Sequence, residues 1–285
     1  MTAQDHITRG RGSHRADDDP ATVVIPRLAD DGSPAAGAAS PARPEPSPEP
    51  QPAAPGAPHL ALVRRGPVVG TAAAIVALLA LAHYGAAVYG IGRPGFQIPA
   101  PIRLGTELNI STWFSSVLHL VNAGLLALVA VNSVRRERWR WVLLAVSCAV
   151  VSMDEVAANH EQVGWIIHTT FRTTGFLTYA WIIPAAALVV VVAALCLPML
   201  LRRPGGYLVI AGAAVFLFGA VGLESVGGAV FEQTGDVQSF GYNVLAGTEE
   251  TCEMAGLVIA MAGLLRTAGG SGLRMAGAGF VDRSR

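Results

Sequence analysis

Apolar residues in this chain gather into long blocks separated by short polar breaks. From Gly66 onward six blocks can be counted, approximately 67–90, 109–134, 140–167, 176–201, 206–230 and 243–266. Each is near the ~20 residues that a helix needs to cross a hydrocarbon layer. The pattern predicts an all-α fold, a polytopic membrane helical bundle of six transmembrane helices. The first sixty or so residues differ: Pro41 to Pro50 reads Pro-Ala-Arg-Pro-Glu-Pro-Ser-Pro-Glu-Pro, with too few large apolar groups to offset ordering entropy. Three regions follow: a disordered tail over 1–63, a membrane domain over 64–267 and a short C-terminal tail over 268–285. No apolar core with a cleavage site lies near Met1, so the first membrane helix is expected to act as an uncleaved anchor.

Arginine sets the expected orientation. Arg64 and Arg65, then Arg135, Arg136, Arg138 and Arg140, then Arg202 and Arg203, then Arg266 and Arg274 fall on one side. Arg93, Arg103 and Arg172 fall on the other, which predicts cytoplasmic N- and C-termini. Trp139, Trp141, Trp165, Tyr179 and Trp181 lie near segment ends, where interfacial aromatic anchors belong. The fifth segment carries Gly212, Gly219, Gly222, Gly227 and Gly228 and is expected to pack centrally. Such Gly-rich faces serve packing within and between chains alike, so the oligomeric state stays open.

Composition narrows the function. The 285 residues are 52% hydrophobic and 14% charged, which excludes an ordinary soluble enzyme. A formal net charge of zero suggests no nucleic-acid partner. No lysine is present, which removes Schiff-base chemistry. Cys148, Cys196 and Cys252 sit in apolar blocks without CxxC spacing and read as small core residues.

Against this background, Asp154, Glu155, Glu161, Glu224, Glu249, Glu250 and Glu253 all fall within apolar blocks. A charge at the bilayer centre costs about 2.5–3.5 kcal/mol on insertion scales, so these groups must be protonated, paired or metal-bound. Counting 1.5 Å per residue from the Arg-rich flank puts His119, Asp154, Glu224 and Glu253 at similar depths, about 20–26 Å. His83 and His160 follow at about 27–29 Å. On a continuous third helix, Asp154, Glu161 and His168 share a narrow arc flanked by Glu155 and His160. Glu249, Glu250 and Glu253 span about 100° of the last helix and can face the interior together.

Taken singly, His83 and His119 read as helix-packing residues, and Ser115, Ser116 and Ser152 as backbone-bonding or packing residues. His168 and Glu232 lie near the outer boundary and read as wet. Together, carboxylates with imidazoles on several helices match divalent-metal chemistry. Di-iron and di-manganese bundles use four carboxylates and two histidines. A single zinc held by His119, His160 and a carboxylate is the other arrangement. Abundant carboxylate favours iron or manganese over zinc.

Ser115-x3-His119, Asp154 and Glu249-x3-Glu253 resemble the pattern of the alkaline ceramidase and adiponectin-receptor superfamily of intramembrane zinc amide hydrolases. That family has seven helices and His-x3-His where Glu249 and Glu253 stand here. The stretches Ser152-Met-Asp-Glu-x4-His-Glu161 and Glu249-Glu-x2-Glu-Met-x-Gly256 also resemble uncharacterised bacterial polytopic membrane proteins, which implies a bacterial inner (plasma) membrane. The resulting expectation is a metal-dependent membrane enzyme in contact with the lipid bilayer and acting on a lipophilic substrate. Its metals would be held by Asp154, Glu155, His160, Glu224, Glu249, Glu250 and Glu253. His119 and Glu161 are the expected catalytic groups, His119 as ligand or proton shuttle. The alternative is a proton- or divalent-cation-coupled transporter. No inverted repeat relates segments 1–3 to 4–6, and the cytoplasmic halves hold almost no ionisable groups.

Overall fold

A computed structural model describes residues 65–270 of the chain. The Pro-rich tail expected over 1–63 lies outside the described residues, as does nearly all of the C-terminal tail. Among the described residues every regular element is helical: α1 (Arg65–Gly90), α2 (Ile110–Val131), α3 (Arg135–Ala157), α4 (Asn159–Phe171), α5 (Ile182–Leu200), α6 (Gly206–Leu217), α7 (Glu224–Thr234) and α8 (Phe240–Gly270). Five stretches are long and apolar enough to cross a membrane: α1, α2, α5, α6 with α7 as one run, and α8. The bent pair α3 and α4 would make a sixth. The architecture therefore fits a multi-pass membrane protein, with lipid as the natural surroundings of its many exposed Leu, Val and Ile side chains.

Two of the apolar blocks are not the straight helices their composition suggests. The third breaks at Ala158, which takes a left-handed conformation at φ 48°, and α4 leaves α3 at 78°. With 23 residues, α3 is about 34 Å long. The arginine-rich stretch 135–140 at one end and Asp154 and Glu155 at the other leave an apolar run over 141–153 only, so α3 has the length and composition of a span only together with α4, as a bent pair. Irregular backbone of this kind is tolerated at a membrane boundary or where protein encloses it. Asp154, Glu161 and His168 consequently do not share one helical arc, because the register assumed for a continuous helix ends at Ala158. The fifth block is interrupted by a π-helical turn over Phe218–Leu223, immediately before Glu224. Such turns widen a helix locally and recur at functional sites.

The centre of the bundle is built on backbone-to-backbone contact between α6 and α8, as the glycine content of the fifth block leads one to expect. A Cβ added at Gly212 would stand 2.5 Å from the Ala260 nitrogen and the Gly256 oxygen. One added at Gly256 would stand 2.5 Å from the Phe216 nitrogen. Further along the same antiparallel pair, Gly205 meets Gly263 and Gly219 meets the backbone of Glu249. Only residues without side chains let two helices approach this closely. Ser116 and Ser152 join α2 to α3 reciprocally: the Ser116 hydroxyl donates to the Ser152 carbonyl at 2.7 Å, and the Ser152 hydroxyl to the Ser116 carbonyl at 2.8 Å.

At the Arg-rich end an apolar cluster of Leu126, Val129, Trp141, Met199, Leu200, Val209 and Leu264 closes the bundle. Arg203 pairs with Glu137 there, and Arg266 donates to the Tyr207 hydroxyl. Trp141 is fully buried in that cluster, so it serves as core and not as the interfacial anchor its position suggests. Trp139 and Trp165 are exposed, as anchors would be.

Gly256→Ala is expected to destabilise the detergent-solubilised protein by about 1–3 kcal/mol, because a methyl group there meets fixed backbone. Gly124→Ala, where nothing lies within 4 Å, is expected to be neutral or slightly stabilising. Thermal unfolding followed by size-exclusion chromatography checks the pair; equal melting temperatures would contradict the close α6–α8 packing.

Candidate metal centre

The site begins with a loop. Residues 91–109 connect α1 to α2 at the end of the bundle opposite the arginines, and specific bonds pin them down. His83 in α1 is fully buried; its Nδ1 accepts from the Leu104 N–H at 3.1 Å, which leaves Nε2 to donate to the Asn243 carbonyl at 2.9 Å. His83 is thus the interhelical packing residue expected of it. Gly247 gives it room, since a Cβ there would lie 2.6 Å from the imidazole. The Gly105 N–H donates to the Glu250 carboxylate, and Arg103 donates to the Val237 carbonyl at 3.1 Å. Asn109 ends the loop as the α2 N-cap, accepting from the Thr112 N–H at 2.9 Å.

This anchoring carries Glu107 to the bend between α3 and α4. One ligand atom from each of Glu107, His160 and Glu161 lies within 4.8 Å of the other two, the one group of three or more such residues so disposed among the described residues. Asp154 organises it from behind. One of its oxygens accepts from the His160 backbone N–H at 3.1 Å, and the other meets His160 Nδ1 at 2.7 Å. The imidazole is thereby oriented with Nε2 free, the carboxylate–histidine arrangement that supports metal ligands. Two left-handed non-glycine residues, Leu108 at φ 61° and Ala158 at φ 48°, flank Glu107 and His160. Backbone conformations of this kind cost of order 1–3 kcal/mol and cluster at functional sites.

Glu107 is the member that sequence reading missed. It lies outside the apolar blocks, where a carboxylate carries no insertion cost and attracts no notice. Its Oε2 is buried without a hydrogen-bond partner. Burial raises its pKa above the ordinary carboxylate value; the Glu161 charge adds to the rise, and His160 opposes it.

The remaining expected residues lie deeper. Glu155 accepts from the Ser115 hydroxyl at 3.2 Å and stands 3.7 Å from His119 Nε2. Glu224 accepts from Trp181 Nε1 at 2.8 Å, and the same indole meets the His160 ring edge-on at 5.0 Å between centroids. Glu249 points an oxygen toward Gly227, and the Glu253 stem lies against Gly219 in the π-helical turn. Glu253 is in electrostatic range of Glu250, Glu155, Glu249 and Glu224, so the carboxylates of three segments converge. His119 and His160 do not share a ligand group: His160 belongs to the mouth with Glu107, His119 to the interior with Glu155. The single-zinc arrangement using both imidazoles therefore has no counterpart in this geometry. His168 and Glu232 stay apart from the centre, and Glu232 accepts from the Thr178 hydroxyl at 2.8 Å.

The chain belongs to the family described as Domain of unknown function (DUF8692), which matches residues 70–268. No curated protein and no solved structure matches it.

The raised Glu107 pKa has a testable sign. The folded protein holds this proton to higher pH than the unfolded chain, so in metal-depleted protein Glu107 subtracts stability as pH rises from the ordinary carboxylate value through the raised one. Glu107→Gln is expected to flatten that part of the stability profile. Melting temperatures of wild type and variant across the acidic range measure it; parallel curves would contradict the assignment.

Proposed function

We propose that this protein is a metal-dependent membrane enzyme whose active metal is held at the mouth of the bundle by Glu107, His160 and Glu161. The observation that supports this reading is the convergence of the three ligand groups with Asp154 bonded behind the imidazole. Two carboxylates and one imidazole make an oxygen-rich donor set that suits manganese or ferrous iron; zinc is the less favoured ion. Bound there, the ion would activate water or oxygen. The protein residues do the rest: Asp154 keeps His160 in one tautomer, and Glu224, bonded to the Trp181 indole beside the His160 ring, is placed to hold a proton next to the centre. The mouth lies at the bend between α3 and α4, and Trp165, Ile166 and Phe171 are exposed along α4 beyond it. A lipophilic substrate fits this position, with its polar group at the metal and its chain in the bilayer.

Transport is the weaker reading because the apolar cluster around Trp141, Met199 and Leu264 packs the Arg-rich half of the bundle, where, among the described residues, no carboxylate or imidazole is buried within the cluster itself.

Detergent-purified protein from metal-replete cells is expected to carry iron or manganese, measured by elemental mass spectrometry. His160→Gln should remove the mouth ion, and Asp154→Asn should weaken its binding about 10- to 100-fold. Metal-free wild type, or full retention in His160→Gln, would contradict the proposal.

A further inference from the structure

His119 is a buried imidazole whose ring packs edge-on against Phe216 at 5.1 Å between centroids. It is 3% exposed, and neither ring nitrogen has a hydrogen-bond partner. A buried imidazole normally finds partners, and an orphan of this kind calls for a missing water or ion. Its surroundings favour a cation. Nε2 faces Glu155 Oε1 at 3.7 Å, too long for a hydrogen bond. Two ligands held ~2.1 Å from one ion at 110–120° stand about 3.4–3.6 Å apart, close to that gap.

The backbone aims both groups at the same point. Side chains tilt toward the N-terminus of their helix, so those of α2 lean toward the mouth and those of α3 away from it. His119, about 14 Å along α2 from its first residue, therefore meets Glu155 from below. Ser115, one turn before His119, is fully buried and donates to the same Glu155 oxygen at 3.2 Å. On the facing helix Glu250 and Glu253 lie in electrostatic range of Glu155. Gly219 keeps that space open, because a Cβ there would stand 2.9 Å from the Glu253 Cγ.

We propose that the interior holds a second divalent metal ion, of the manganese or ferrous class, seated between His119 and Glu155, with Glu253 and Glu250 adding negative charge from the facing helix at longer range than the ligand spacing of the mouth group. It rests on the reading of the mouth as a metal centre for its chemistry, and it divides the carboxylates into two ligand sets with one imidazole each. The mouth set is open to arriving molecules; the interior set lies beneath it. A single cation neutralises a group of carboxylates that would otherwise repel one another inside an apolar bundle.

The test uses full-length protein in detergent, depleted of metal by chelator and titrated with Mn2+ alone. Free Mn2+ is counted by its electron paramagnetic resonance signal. Wild type is expected to bind two equivalents. His119→Gln and Glu155→Gln should each bind one, as should His160→Gln, with the remaining ion at the other site. Glu155→Gln alone gives the interior readout should His119→Gln fail to elute as a folded species. Two equivalents retained in both His119→Gln and Glu155→Gln would overturn the interior site. So would one equivalent in wild type that is lost in His160→Gln and kept in His119→Gln, a result that leaves the mouth reading standing. No bound Mn2+ in wild type would overturn both.

Discussion

A carboxylate cannot face hydrocarbon at tolerable cost, and this constraint organises the bundle. Glu155 and Glu224 lie in helices that expose Val146, Val150 and Val226 on other surfaces, so each must turn inward, while Glu249, Glu250 and Glu253 lie in α8, whose Leu, Val and Ile side chains are all buried or half-buried inside the bundle. Turning them inward requires space, and the space comes from backbone. Gly219 and Gly227 stand beside Glu253 and Glu249, and the π-helical turn before Glu224 widens the segment there. Gly212 and Gly256 hold α6 and α8 together a few turns away. Close contact toward the arginine end and room toward the mouth are thus two uses of the same glycine-rich pair.

The mouth is assembled from irregular backbone, which a bilayer permits only at its boundary or where protein encloses it. Ala158 breaks the helix at the bend between α3 and α4, and Asp154 spans the break by accepting from the His160 backbone and holding its ring. Opposite it, the loop over 91–109 holds only a single 3-10 turn at Ala100–Ile102; His83, Glu250 and the Asn109 cap hold it in place. Glu250 consequently has two parts, as anchor of the loop that delivers Glu107 and as a charge beneath it. A polar network in which anchors and ligands overlap couples the shape of the site to its charge state.

Much of this was legible in the chain. The number of candidate spans, five or six, and their approximate bounds follow from the apolar blocks, because bilayer thickness translates directly into residue count. Counting residues placed the acids and imidazoles near one depth, and His160, Glu161 and Asp154 do meet at the mouth. The break at Ala158 was not legible: no glycine or proline marks it, and alanine favours the helix it ends. Trp141 looked like an interfacial anchor from its place in sequence, yet it fills the core, since nearness to a helix end says nothing of which face a side chain takes.

What the sequence by itself determined is the class of the molecule: an all-helical, multi-pass architecture with a belt of acids that the interior must accommodate. Hydrophobicity and length suffice for this because they report the solvent in which each segment is stable. Only the tertiary structure decided which acids become neighbours. Glu107 joins His160 from a loop more than fifty residues earlier in the chain, through bonds made by His83 and Glu250. His119 lies apart from His160 because the latter stands beyond the 78° bend, at the start of α4. Both outcomes depend on hydrogen bonds between distant segments and on backbone torsions at single residues, and neither leaves a periodic trace in the sequence.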